Sequence, residues 1–449
     1  MIDFTSGNPM KQIFNFALPM LIGNLLQQLY SMTDTIIVGR YVSGTALASV
    51  GSSNSIIQFL VSVLIGLTTG ASVVISQFYG AKKEAELKKT VSTSIVFMAV
   101  FSVIVTIGGV AGAGPLLRFL GVDEIIFEGA KIYLQIIMAG ITFPVYFNMY
   151  MAYMRALGDS KSPLYILFVS TVLNIGLDVL FVAGFNWGIA GAAIATIMAQ
   201  ALAMVFCIWL AMRNIELLRI PKLIFDKTIL KLILTYGIPS SVQLSITSLA
   251  SLTIMRLVNS FGAITVAGFT AGLRVENFAL MPLSNVHTAI STFVGQNIGA
   301  DQEGRAREGL WAGMKLMVII SLVTSALLLI FGRVFMGQFV SETDVNAASI
   351  ISEGTLYLSI ISLFYILFGV FFAFNGFFRG VGDAIVVMIL TITSLVIRTL
   401  CAHFLADSAG LGIASVAWSI PVGWGLCGFF AFIYYKMNWW KGKVATNKV

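Results

Sequence analysis

The sequence predicts an all-α polytopic membrane protein, with twelve transmembrane helices in two pseudo-symmetric six-helix bundles. Three observations carry this. Of the 449 residues, 58% are apolar and 10% charged, with a mean hydropathy of +0.93, against roughly 45–50% and about 25% in soluble domains. Apolar runs long enough to cross a hydrocarbon core of about 30 Å, which takes about 20 helical residues, recur along the whole chain. Motifs of the first half return in the second.

The runs fall at roughly 12–37, 46–75, 91–113, 128–153, 163–184, 188–211, 232–258, 264–293, 310–332, 348–374, 384–405 and 410–435. The formal charge of +7 is topological. Placing the even-numbered breaks and both termini on one side collects most of the 27 basic residues there, Lys82, Lys83, Lys88, Lys89, Arg213, Arg219, Lys222 and Lys227 among them, so that side is expected to be cytoplasmic. The basic clusters read as topology signals and lipid-headgroup contacts, and no nucleic acid is expected. Cys207, Cys401 and Cys427 lie in apolar stretches without paired spacing, so neither a disulfide nor a cysteine metal site is expected. The N-terminus lacks a basic n-region and a small-residue cleavage site, so no cleaved signal is expected.

The longest internal polar stretch, 212–231, divides the spans six and six. The expected organisation is therefore an N-terminal lobe over 1–211, a cytoplasmic linker over 212–231 and a C-terminal lobe over 232–449 with a basic tail. Pro19 recurs as Pro239, Gln77-Phe-Tyr-Gly-Ala as Gln296-Asn-Ile-Gly-Ala, and Tyr133 with Arg155-Ala-Leu-Gly-Asp159 as Tyr357 with Arg379-Gly-Val-Gly-Asp383. An even number of spans per repeat makes the repeats parallel, related by an axis along the membrane normal.

Charges within spans cost about 2.5–3.5 kcal/mol at the bilayer centre and are functional candidates for that reason. Asp34 and Asp178 each lie fifteen residues beyond a proline, Pro19 and Pro163, about 22 Å along a helix, which puts both at one depth. Asn174 shares a helix face with Asp178, and Thr196 reaches a similar level on the next span. Two carboxylates, an amide oxygen and a hydroxyl are hard oxygen donors, suited to Na⁺ and able to hold a proton; the alternative is hydrogen bonding between helices. The second-half counterparts of Asp34, Asn174 and Asp178 are Ile254, Arg398 and Ala402, so the set belongs to one half. Gln27 and Ser31 share the Asp34 stripe. Arg274, Glu276 and Arg398 are the charged candidates of the second half: Glu276 and Arg398 form an ion pair, or Glu276 attracts a cationic substrate. His287 reads as a packed histidine. Pro19, Pro144, Pro239, Pro282 and Pro421 are candidate bending points. The 19 methionines and 34 phenylalanines permit an adaptable cavity. Phosphate-loop, dinucleotide and hydrolase signatures are absent, so an enzyme is not expected.

Phe16-Ala-Leu-Pro-Met, Asp34-Thr-Ile-Ile-Val-Gly39, Gln77-x-x-Gly-Ala81, Arg155-Ala-Leu-Gly-Asp159 and Arg274-Val-Glu-Asn-Phe278 resemble the multidrug and toxic compound extrusion (MATE) family over nearly the whole chain. Acids in spans 1 and 5 rather than span 10 resemble its DinF-like prokaryotic branch. The resemblance implies two lobes in a V shape around a central cavity. It implies a multi-pass protein of a bacterial or archaeal cytoplasmic membrane with both termini cytoplasmic, exporting small amphipathic, often cationic drugs in exchange for H⁺ or Na⁺, with no other cofactor. It places a cation site on Asp34, Asn174, Asp178 and Thr196, its span 8 acid at Glu276 and a hinge at Pro19; the residues expected to line the substrate cavity are Gln27, Ser31, Arg274, Glu276 and Arg398. A monomer in contact with membrane lipids is expected. The alternative is a lipid or lipid-linked sugar flippase of the same superfamily.

Overall fold

The computed structural model describes residues 1–41, 44–185, 187–220, 222–341 and 345–447, with side chains except at 34–36, 38–41, 44–47, 183 and 447. Helices make up nearly all of it, and no strand occurs among the described residues. In the first half these are α1 Pro9–Tyr41, α2 Gly44–Gly80, α3 Glu84–Phe119, α4 Glu124–Ala139, α5 Thr142–Ala156, α6 Lys161–Asp178 and α7 Gly188–Asn214. The second half has α8 Lys227–Asn259, α9 Ala263–Gly299, α10 Glu303–Gly337, α11 Ala347–Ser362, α12 Tyr365–Val381, α13 Ala384–Ala409 and α14 Ile413–Lys436.

Two of the expected spans, 128–153 and 348–374, are not single rods. α4 and α5 meet at 51°, and α11 and α12 at 56°, each across a short break. With each bent pair as one element, the fourteen helices make the twelve expected rods. Among the described residues, eight helices are long and apolar enough to cross a membrane, or ten with the bent pairs. The other two, α1 and α9, have 33 and 37 residues, about 50 and 55 Å at 1.5 Å per residue, and carry most of the polar candidates.

The breaks occupy equivalent places in the repeat and are held alike. In the first, Pro144 has no amide hydrogen for the Gly140 carbonyl, which accepts from Phe143 N instead (3.0 Å). Thr106 Oγ1 of α3 donates to the Met138 carbonyl just before the bend (3.1 Å). In the second there is no proline, but the matching Ser325 of α10 donates to the Ser362 carbonyl (2.5 Å), and Ser321 donates to Tyr365 O (3.0 Å). Carbonyls freed by a bend need such donors when no water reaches them.

The repeated Arg-x-x-Gly-Asp motif also finds its reason. Gly158 and Gly382 have φ of +85° and +96°, the left-handed region open to glycine. Asp159 N bonds Met154 O (2.9 Å) and Asp383 N bonds Phe378 O (2.8 Å), closing α5 and α12 with the same C-terminal turn. Asp159 Oδ1 then accepts from Lys161 N and Ser162 N (3.0 Å each) to open α6.

The chain packs as two compact units. One holds Met1–Asp3 and Pro19–Ser241; the other holds Phe4–Leu18 and Val242–Asn447. These units follow packing, whereas the lobes expected from the sequence repeat are 1–211 and 232–449, and the two partitions differ at the first helix of each half. α1 passes from the second unit to the first at Pro19, and α8 passes from the first to the second just after Ser241, two residues beyond Pro239. The early turns of α1 are held in the second unit through Phe4, which packs edge-on against Phe16 (5.2 Å) and Phe293 (5.5 Å) and whose carbonyl accepts from Asn297 Nδ2 (3.0 Å) and Arg305 Nε (2.8 Å). The linker and the start of α8 are held in the first, where Ile224 N and Asp226 N donate to Ser92 Oγ and Thr93 Oγ1 and Ser241 Oγ donates to Val63 O (2.8 Å).

Candidate functional site

Within the first unit the site is built on α6. Asn174 and Asp178 stand one turn apart, 1% and 0% exposed. Both the amide nitrogen and the amide oxygen of Asn174 are buried without a hydrogen-bond partner among the described residues. An unpartnered buried amide costs about 1–3 kcal/mol, a cost that an ion or polar ligand accepting from or donating to this amide would offset. Asp178 ends the regular helix, and a π-helical turn, Val179–Gly184, follows at once; such turns recur at functional sites. Thr196 lies on α7, which packs along α6; its hydroxyl donates to Ala192 O of its own helix (2.9 Å) and keeps its lone pairs for a ligand.

α1 meets α6 at Gly23, where an added Cβ would come within 2.8 Å of Leu167 Cδ1. Asp34 and Asp178 each lie eleven residues beyond that crossing point, about 16 Å. The Asp34 side chain lies outside the described ones. Gln27 and Ser31 are on the described part of α1 and are exposed. The donors brought together on α6 are oxygen-rich and buried, the chemistry that suits Na⁺ or a proton.

The second unit holds a different polar cluster. Glu276 of α9 is 7% exposed, and Tyr357 Oη of α11 donates to its Oε2 at 2.7 Å. Arg398 of α13 is close enough for its charge to act on both, but it forms no ion pair with Glu276 within 4.0 Å; the three ion pairs among the described residues lie elsewhere. The ion-pair reading of these residues is therefore replaced by a tyrosine-held carboxylate with an arginine nearby. Arg398 Nε and the Tyr365 hydroxyl are buried without hydrogen-bond partners among the described residues. Gly423 of α14 leaves room for the arginine stem, since a Cβ there would approach Arg398 Cγ to 2.7 Å. Arg274, two residues before Glu276, is exposed and stands apart from this cluster. His287 is packed edge-to-face against Phe372 (5.4 Å).

Tyr357 was not singled out by the charge argument, although the Tyr133/Tyr357 recurrence marked it. A buried hydroxyl on a buried carboxylate has no signature in hydropathy; the repeat was the available signal.

The MatE family model matches residues 19–180 and 239–403. The chain is 32% identical to the probable multidrug resistance protein YpnP of Bacillus subtilis (strain 168), over 99% of both chains. In solved structures, a MOP superfamily transporter from Pyrococcus furiosus, described as having a binding pocket of reversed polarity, superposes with a TM-score of 0.90 at 25% identity over 97% of both chains. The outward-facing conformation of a multidrug resistance MATE family transporter of the MOP superfamily gives the same values.

Proposed function

The chain belongs to the MatE family of multidrug and toxic compound extrusion transporters, and on that premise we propose that it exports amphipathic, often cationic compounds by alternating access, driven by entry of H⁺ or Na⁺. The observation that carries the ion coupling is the buried Asn174–Asp178 turn on α6, with an unpartnered amide beside a carboxylate. On this reading the ion enters between Asp34 of α1 and Asp178, Asn174 supplies an amide oxygen, and Thr196 completes an oxygen shell. Ion binding weakens drug binding, and reciprocity requires drug to weaken ion binding by the same factor. Pro19, where α1 passes between the packing units, is the bend through which the site acts on the rest of α1. The Glu276–Tyr357–Arg398 cluster serves substrate selection.

The test is efflux of a fluorescent cationic dye from liposomes containing the purified protein, with proton and sodium gradients imposed separately, beside the Asp34→Asn variant. Efflux driven by one gradient and lost in the variant supports the reading and names the ion. Normal gradient-driven efflux in the variant overturns the site assignment. No dye movement under either gradient, in folded protein, transfers the case to lipid or lipid-linked sugar flipping.

A further inference from the structure

We propose that the linker end of α7 is a binding site for the headgroup of an anionic phospholipid. The last turns of α7 carry Trp209, Met212 and Arg213; the chain then makes a short 3₁₀ turn, Glu216–Leu218, and Arg219 returns against the helix end. These four side chains line an open surface groove. Arg219 donates from Nε to Met212 O (2.5 Å) and from Nη2 to Arg213 O (2.9 Å), so its guanidinium is fixed on the negative end of the helix with donors to spare. Arg213 lies over the Trp209 ring, 5.2 Å from its centroid, and donates to no protein acceptor among the described residues. Neither arginine is within ion-pair distance of an acid among the described residues, and Glu216, the acid of this turn, is exposed. Two guanidinium groups over one groove, neither held in an ion pair within 4.0 Å among the described residues, complement a phosphodiester.

The surroundings commit the site to lipid rather than to a soluble anion. Trp209 and Met212 are exposed at the end of an apolar span, the place of tryptophans at a membrane–water boundary. Leu223, Ile224 and Phe225 of the linker are exposed, although their backbone is pinned to α3 by the Ser92 and Thr93 hydroxyls. Apolar side chains held outward on a pinned backbone fit an interfacial layer. Beyond them, Lys227 and Lys231 of α8 line a second open groove with Leu230, Leu234 and Ile238. The linker is thus flanked by cations on both sides and carries apolar side chains between them.

The test uses the full-length protein in phosphatidylcholine nanodiscs or detergent, titrated with phosphatidylglycerol, with bound lipid counted by native mass spectrometry. Saturable retention of phosphatidylglycerol over phosphatidylcholine is expected. Arg213→Ala should weaken it about fivefold, the worth of one cation near a charged surface; Arg213 is exposed and caps nothing, so the fold is kept. Arg213→Lys, which keeps the charge, should retain most of the affinity. Equal retention of the two lipids, or an unchanged affinity in Arg213→Ala, overturns the proposal. Inorganic phosphate displacing phosphatidylglycerol at matched concentration overturns it in favour of a soluble anion.

Discussion

Where the first half carries Asn174 and Asp178 on α6, the second carries Arg398 and Ala402 on α13; where the second carries Glu276 on α9, the first carries Ile57 on α2. Around these exchanges the backbone devices are the same: the bends at α4/α5 and α11/α12, the Thr106 and Ser325 hydroxyls beside them, and the glycine turns at Gly158 and Gly382. The helix contacts also differ. Ser49 and Ser53 of α2 stitch to the carbonyls of Ile126 and Ala130 on α4 (3.1 and 3.0 Å), whereas their counterparts on α9 are Gly268 and Gly272, which pack closely against α11. Close approach at Gly272 lays the Tyr357 ring against α9, one turn below Glu276. A scaffold that tolerates either arrangement does not need the acids for its architecture; each half has acquired its own polar chemistry.

The comparison is broken most easily at Asn174. Replacing it with Leu should reduce gradient-driven efflux by at least about tenfold, the equivalent of about 1.4 kcal/mol, while leaving thermal stability unchanged or higher, because an unpartnered amide is removed from an apolar helix. Lost stability with full transport would make Asn174 a packing residue. In the other half, Tyr357→Phe takes a donor from a buried carboxylate and should cost about 1.5–3 kcal/mol in unfolding measurements, as for hydrogen bonds to charged groups.

The helix contacts sharpen the contrast at smaller scale. Gly268→Ala pushes a methyl within 2.8 Å of Ile350 O and Glu353 Cβ and should cost about 1–3 kcal/mol by overpacking. Ser49→Ala, at the matching place, loses the hydrogen bond to the Ile126 carbonyl, about 1 kcal/mol. The smallest effects test the likeness of the halves: Thr106→Val and Ser325→Ala should each cost about 1 kcal/mol, and equal losses would support the two bends as one device used twice.

The twelve rods, the repeat and the residues of α6 were legible because apolar length and buried charge are properties of composition and spacing. The bend at α11/α12 was not, because no proline marks it; a serine one helix away supplies the missing donor. The π-helical turn after Asp178 has no periodicity of its own in the apolar run 163–184. The packing of Phe4–Leu18 apart from the rest of the first half rests on long-range contacts of Phe4 with Phe293, Asn297 and Arg305, which no local pattern encodes. Pro19 and Pro239 were legible as candidate bending points, but not as residues at or near the two passages between the units.

The most direct measurement sets Asp178→Asn beside Glu276→Gln in the same liposomes, with dye efflux driven by a proton gradient and then by a sodium gradient. Loss of the driven component in Asp178→Asn, with Glu276→Gln still driven but altered in its preference among dyes, is the predicted result. A driven component that survives in Asp178→Asn and disappears in Glu276→Gln would place ion coupling in the second half and contradict the account.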